Sequence, residues 1–140
     1  MKKITFLLTL FCLVSVINYA CSTIITNKTT QMHSEKKIDR AQLVDLMDQY
    51  LAALVKHDPS LVPLASDVRL VENTKVTPID KGLWETSTGS GTTEYKIYVA
   101  DPVMGQVGYM GLLEDQGKPV QIGVRLKLRN GEITEIDHMV

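Results

Sequence analysis

The chain has 140 residues, 44% of them apolar, and sets 15 Lys and Arg against 16 Asp and Glu. That length fits a single domain, and the balanced charge excludes the basic footprint of a dedicated nucleic-acid binder. Two cysteines are too few for a disulfide scaffold or a cysteine-based zinc module.

The apolar residues are unevenly placed. Residues 1–20 hold 14 of the 62, both Phe and no acid. Met1-Lys2-Lys3 is a short basic start, and Ile4 to Ile17 is apolar apart from Thr5, Thr9 and Ser15. This run falls short of the roughly 20 residues that span a bilayer core and suits the apolar region of an export signal. Two processing patterns fit the residues after it. Ala20-Cys21 resembles a lipoprotein site at which Cys21 would be acylated, although Asn18 stands where an aliphatic residue is usual. Ala20-Cys21-Ser22 also satisfies the small-x-small rule, with release before Thr23. Either way the expected location is extracytoplasmic: a periplasmic or outer-membrane lipoprotein, or a secreted protein. A lipid on Cys21 would be the only membrane contact. Residues 21–37 are polar and Thr-rich, the composition of a disordered tether.

Residues 38–140 read as the folded domain. Asp39 and Gln42 form a capping box, with Ile38 poised to staple onto Leu43. Leu43, Leu46, Met47, Tyr50, Leu51, Leu54 and Val55 then follow one helical face. Asp58-Pro59 ends that helix and opens a further turn. Val68–Glu72 predicts a short strand, followed by a polar loop to Pro78. Asp80–Glu85 predicts a helical turn, and Thr86–Thr92, all Gly, Ser and Thr, a flexible loop. Four strands follow, at Thr93–Val99, Gly105–Leu113, Pro119–Leu128 and Glu132–Val140.

The last two turns set the register. A two-residue turn at Asn130-Gly131 would place Glu135 and Asp137 on the face of Val120, Ile122, Val124, Leu126 and Leu128. A three-residue turn with a G1 bulge sends those acids outward and brings Ile136 and His138 in, so burial selects the bulged turn. The same form at Asp115-Gln116-Gly117 sets Met110 and Leu112 opposite Ile122 and Val120. The expected fold is α+β: a curved antiparallel sheet packed on a long N-terminal helix.

That order of elements resembles the nuclear-transport-factor-2-like, or SnoaL-like, cone. Residues Asp48–Leu54, His57-Asp58-Pro59, Val62–Ala65, Gly82-Leu83-Trp84, Tyr98–Pro102, Gly105–Gly108 and Asn130–Ile136 are similar to an uncharacterised, secreted branch of that superfamily. The resemblance covers residues 38–140. It implies the fold. For activity it implies little, since the superfamily carries isomerases, dehydratases, hydrolases and binding modules on one scaffold.

His138 is the one residue that suggests catalysis. Turned inward, an imidazole beside Ile122 suits general acid or base work, and also suits a hydrogen-bonded core position. The resemblance implies an acidic partner, for which Asp67, Glu72, Asp80 and Asp101 are the candidates. Trp84, Tyr50, Met110 and Ile122 are the expected lining of an apolar ligand site. Tyr109 and Val107 are expected on the outer face, where cones of this kind often pair, which predicts a homodimer through Tyr109. His57 reads as a helix-end cation. Arg125, Lys127 and Arg129 read as a solvated stripe. No metal-ligand spacing and no phosphate loop occur, so neither a metal nor another cofactor is expected. Three functions fit: a small-molecule binding module, a cofactor-independent isomerase, lyase or hydratase, and a dimerising interaction domain.

Overall fold

The computed structural model describes residues 38–91 and 94–140; the expected export segment, Cys21 and the tether lie outside them. Helix α1 spans Arg40–Val55 and starts as the sequence requires, with Asp39 accepting from the Gln42 amide and the Gln42 side chain returning to the Asp39 amide. Leu43, Met47, Tyr50, Ala53 and Leu54 on one face of it are fully buried. A 3₁₀ turn at Pro59–Leu61 follows, capped by Asp58.

Strand β1 (Leu64–Glu72), which contains the expected strand Val68–Glu72, forms a hairpin with β2 (Lys75–Thr77), which lies where a polar loop was expected. Its two turn residues, Asn73 and Thr74, both have positive φ, the geometry that matches strand twist. The short helix α2 (Leu83–Thr86) leads directly into β3 (Ser87–Ser90). The Gly-Ser-Thr stretch therefore carries a strand, contrary to the loop expected from its composition. Pairing with β5 overrides the weak local preference of those residues. Strands β4 (Lys96–Asp101), β5 (Gln106–Asp115), β6 (Lys118–Arg129) and β7 (Glu132–Met139) complete the chain.

The seven strands make one open, curved sheet in the order β2-β1-β7-β6-β5-β3, with β4 also on the free edge of β5. Pairing is antiparallel except at β1 and β7, which run parallel, so the sheet is mixed rather than antiparallel throughout. One face is covered by α1. Ile122, Val124, Leu126, Ile133 and Ile136 meet Leu43, Met47, Tyr50 and Leu54 there in a single core.

Both register expectations need correction. At Gln116-Gly117 the turn has two residues, both with positive φ, and pairs Asp115 with Lys118. Gly111, not Met110, then lies opposite Ile122, and Leu113 lies opposite Val120. Tyr109 and Val107 consequently face the helix and are buried, while Met110 is 44% exposed on the other side. The turn at Asn130-Gly131 is also a two-residue one, pairing Arg129 with Glu132. A bulge then skips Thr134, so Leu128 pairs with Ile133 but Lys127 pairs with Glu135. Burial decides the faces as expected: Ile136 and His138 point in, Glu135 and Asp137 out. The device is a bulge inside the strand rather than one at the turn.

On the outer face the acids of β7 pair with two of the three bases of the β6 stripe, Arg125 and Lys127. Arg125 binds Glu135 at 2.9 Å and Asp137 at 2.5 Å, and Lys127 binds Glu135 at 2.8 Å.

Candidate functional site

Two places carry chemistry. The first is a buried hydrogen-bonded chain through the core. Because β1 and β7 pair in parallel, Glu72 stands beside His138. The His138 Nδ1 lies 3.1 Å from Glu72 Oε2, and its Nε2 lies 2.8 Å from the Tyr50 hydroxyl. Trp84 Nε1 donates to that hydroxyl at 3.1 Å, and the Leu83 amide donates to Glu72 Oε2 at 3.0 Å. The rings also pack edge to face, Tyr50 on Trp84 at 5.4 Å and on His138 at 5.9 Å.

One tautomer satisfies every partner. Trp84 N–H donates to Tyr50, Tyr50 O–H donates to His138 Nε2, and His138 Nδ1–H donates to the Glu72 carboxylate. With a proton on Nε2 instead, the Tyr50 hydroxyl would receive two donors and find no acceptor for its own hydrogen. The imidazole is closed off and the carboxylate end comes near the surface: the His138 side chain is 0% exposed and that of Glu72 17%. Burial also drives the Tyr50 hydroxyl far above its ordinary range, so it stays protonated.

Gly82 makes the arrangement possible. It adopts φ 65°, ψ −134°, a region left to glycine, and a Cβ there would run into the Glu72 carboxylate.

The hydrogen bond from His138 holds the Glu72 carboxyl below its ordinary value of 4.5, outweighing burial, which raises it, with the Leu83 amide assisting. A carboxyl depressed in the folded state contributes stability above its unfolded value and loses it as pH falls through the folded one. Glu135 adds to the same acid limb, held down to about 2 by Lys127 and then Arg125. Urea midpoints of the wild type are therefore expected to fall below pH 4.5. In Glu72→Gln the fall between pH 7 and pH 3 should be shallower, with the Glu135 share remaining. Equal slopes in the two proteins would show that Glu72 has no part in it.

The second place is a pocket of about 370 Å³ between α1 and the β3–β5 edge. Leu51, Val55, Tyr109 and Leu113 give it apolar walls, and Asp48, Lys56 and Lys96 bring charge. The Tyr109 ring folds back so that its hydroxyl lies over the Cα of Gly111. It packs against Tyr98 at 5.2 Å, and the Tyr98 hydroxyl donates to Asp48 at 2.5 Å. Burial, then that carboxylate, raises the pKa of the Tyr98 hydroxyl.

The expected lining does not line this pocket. Tyr50, Trp84 and Ile122 are core residues, each 2% exposed or less, and Met110 is on the opposite face. His138 is 3% exposed and meets Glu72, one of the four acids singled out. Tyr109, placed on an outer dimer face by the sequence reading, is instead 5% exposed and walls the pocket. His57 ends α1 with positive φ and bonds the Trp84 carbonyl oxygen at 2.7 Å. The residues that sequence reasoning missed are Leu51, Val55, Lys56, Lys96 and Leu113. For Leu51, Val55 and Lys56 the signal was the edge of the α1 stripe. Among the described residues no group of His, Cys, Asp and Glu is arranged to hold a metal ion.

The family model for DUF8021, a domain of unknown function, matches residues 36–140. The chain belongs to that family. No curated protein matches it. Solved structures similar to the DUF8021 domain share its fold at low identity. A de novo designed protein with a curved β-sheet has TM-score 0.56 and 20% identity, over 74% of this chain and 88% of that one. A putative polyketide cyclase from Xanthomonas campestris pv. campestris has TM-score 0.52 and 15% identity, over 72% and 91%. A nuclear-transport-factor-2-like protein of unknown function from Cytophaga hutchinsonii has TM-score 0.50 and 14% identity, over 69% and 87%. The DUF8021 domain thus has the nuclear-transport-factor-2-like fold, and at these identities the likeness is one of fold alone.

Proposed function

We propose that this DUF8021 domain is a small-molecule binding module whose ligand, an apolar or aromatic molecule, lies in the pocket between α1 and the β3–β5 edge. The observation that carries this is a space of about 370 Å³ with apolar walls, none of whose lining residues belongs to the buried chain of Tyr50, Trp84, His138 and Glu72. Its volume falls in the range of ligand sites. Ala52 lines the pocket from an exposed helix position, so a larger residue there blocks the space without touching the core. Fluorescence titration of the full chain with phenylnaphthylamine is expected to saturate in the micromolar range, and Ala52→Trp to weaken it by roughly tenfold or more. An unchanged titration curve for Ala52→Trp would defeat the proposal.

A cofactor-independent isomerase, lyase or hydratase is the second reading, favoured by the carboxylate within hydrogen-bonding distance of His138. Turnover would require substrate to reach an imidazole that is closed off, so the chain fits a structural role better. If His138 is a general base, folded His138→Gln protein loses all turnover of any substrate found.

The outer face supports a third reading, as a dimerising domain. Ile97, Met110 and Met139, with Gly123 between the last two, form one cross-strand row, and all three side chains are exposed. Size-exclusion of wild type beside Met110→Glu tests it, and two monomers would end it. We also propose export through residues 1–20, with acylation at Cys21. Palmitate labelling that persists in Cys21→Ala would refute the acylation.

A further inference from the structure

The pocket is electrically lopsided. Asp48 on α1 and Lys56, the residue that caps its C-terminal end, are eight residues apart, which at about 1.5 Å per residue places them roughly 12 Å apart along the helix axis. The Asp48 end is closed by the Tyr98 hydroxyl, so its carboxylate already has a donor. Lys96 stands two residues before Tyr98 on β4, opposite Gly111, displaced along the sheet toward Leu113. That is also the direction in which α1 runs, since Leu54 near its end accepts from Ser87 at the start of β3, and Ser87 pairs with Asp115. Both lysines therefore lie away from Asp48. Among the described residues the ion pairs are Lys81–Glu85, Arg125 with Glu135 and Asp137, Lys127–Glu135 and His138–Glu72, and neither Lys56 nor Lys96 takes part in any.

We infer that the pocket takes an amphipathic anion, its aromatic or aliphatic body against Leu51, Val55, Tyr109 and Leu113 and its carboxylate or sulfonate between Lys56 and Lys96. This rests on the reading of the pocket as a ligand site and adds the charge of the ligand. Two ammonium groups beside an apolar wall act in a medium of lower dielectric than open water, which strengthens their pull on one anion. A cation would meet those two unpaired ammoniums, and only Asp48, already bonded, would offset them. Long lysine stems also suit the site, because their methylenes extend the apolar wall while the charged heads stay at its mouth.

The test uses two probes with the same aromatic body, anilinonaphthalene sulfonate and the neutral phenylnaphthylamine, titrated into the full chain. The sulfonate is expected to bind roughly tenfold tighter at low salt, an advantage that shrinks as salt is raised to about 0.5 M. Lys56→Gln/Lys96→Gln is expected to remove most of that advantage, the ratio of the two affinities falling toward one. Both lysines are exposed, so the double variant should fold as the wild type does. If both probes bind equally, or if the double variant keeps the preference for the sulfonate, the charge inference is overturned. In that case the pocket still stands if Ala52→Trp blocks both probes. If Ala52→Trp blocks neither, the pocket reading itself falls and this inference with it.

Discussion

Deleting Asp137 is expected to destabilise the domain by roughly 3–5 kcal/mol, while deleting Thr134 from the same strand is expected to cost only about 1–2 kcal/mol. The contrast follows from the bulge. Thr134 is the residue β7 carries in excess of β6, between the Leu128–Ile133 and Lys127–Glu135 pairs. Without it those pairs become consecutive, and Ile133, Ile136 and His138 keep their buried side. The loss is the local twist and the bond from Thr134 Oγ1 to the Lys127 carbonyl. Asp137 has no such redundancy. Its removal turns His138 to solvent and brings Met139 into its place, because strand side chains alternate in period two. Glu72 and Tyr50 then lose their partner inside the core, and Arg125 loses one of its two acids. Thermal unfolding checks the pair: a domain near 100 residues shifts by roughly 4–8 °C per kcal/mol. Equal losses for the two deletions would mean that Thr134 is an ordinary paired residue.

Tyr50→Phe is expected to cost about 2–4 kcal/mol, although it removes a single oxygen. That oxygen has two buried partners. Without it the Trp84 indole N–H has no acceptor and His138 Nε2 no donor, in a region where neither reaches water. Orphaned polar groups of this kind cost more than the net value of the bonds they lose. The double variant Tyr50→Phe/His138→Leu is therefore expected to be less destabilised than the two single changes added together. Removing both ends of one bond leaves fewer stranded groups than the two single changes leave between them. Additive losses in a denaturant-based double-mutant cycle would show that the hydroxyl and imidazole do not communicate. The ring contacts of Tyr50 survive in Phe, so the cycle reads the hydrogen bonds rather than packing.

Much of the fold was written locally. The capping box at Asp39 and Gln42, the apolar stripe of α1 and the turn residues before β6 and β7 all act within a few residues. The consequences of the cap and the stripe can be read from spacing; the turns could be located that way but not their lengths. The placement of Glu135 and Asp137 outside was legible too, because burying two carboxylates among Leu126, Ile122 and Val124 would be far more costly than bending one strand. The position of the bulge was not. A bulge at the turn and a bulge at Thr134 satisfy the same burial rule, and the choice depends on how β7 meets β1 on its other edge. The β3 strand was invisible for a related reason, since Ser87–Ser90 becomes a strand only through its ladder with β5.

The candidate site divides in the same way. His138 and Glu72 stand 66 residues apart in sequence, and nothing local to either selects the other. Parallel pairing of β1 and β7 puts them side by side. Trp84 and Tyr50 were singled out for an apolar site and became instead the far end of the hydrogen-bonded chain. A one-residue difference at the Gln116-Gly117 turn then exchanged Met110 for Tyr109. It moved the aromatic ring from the outer face to the wall of the pocket.

The sequence by itself determined α1, the strands β4 to β7, the buried faces of α1, β6 and β7 and the family of architecture, because capping, periodicity and the cost of buried charge are properties of neighbouring residues. Only the tertiary structure decided which acid meets His138, that its imidazole is buried in the core, and that a pocket opens between α1 and the sheet edge. Those depend on strand order and register, where contacts between distant residues set the free energy and a shift of one position changes every side chain that faces inward.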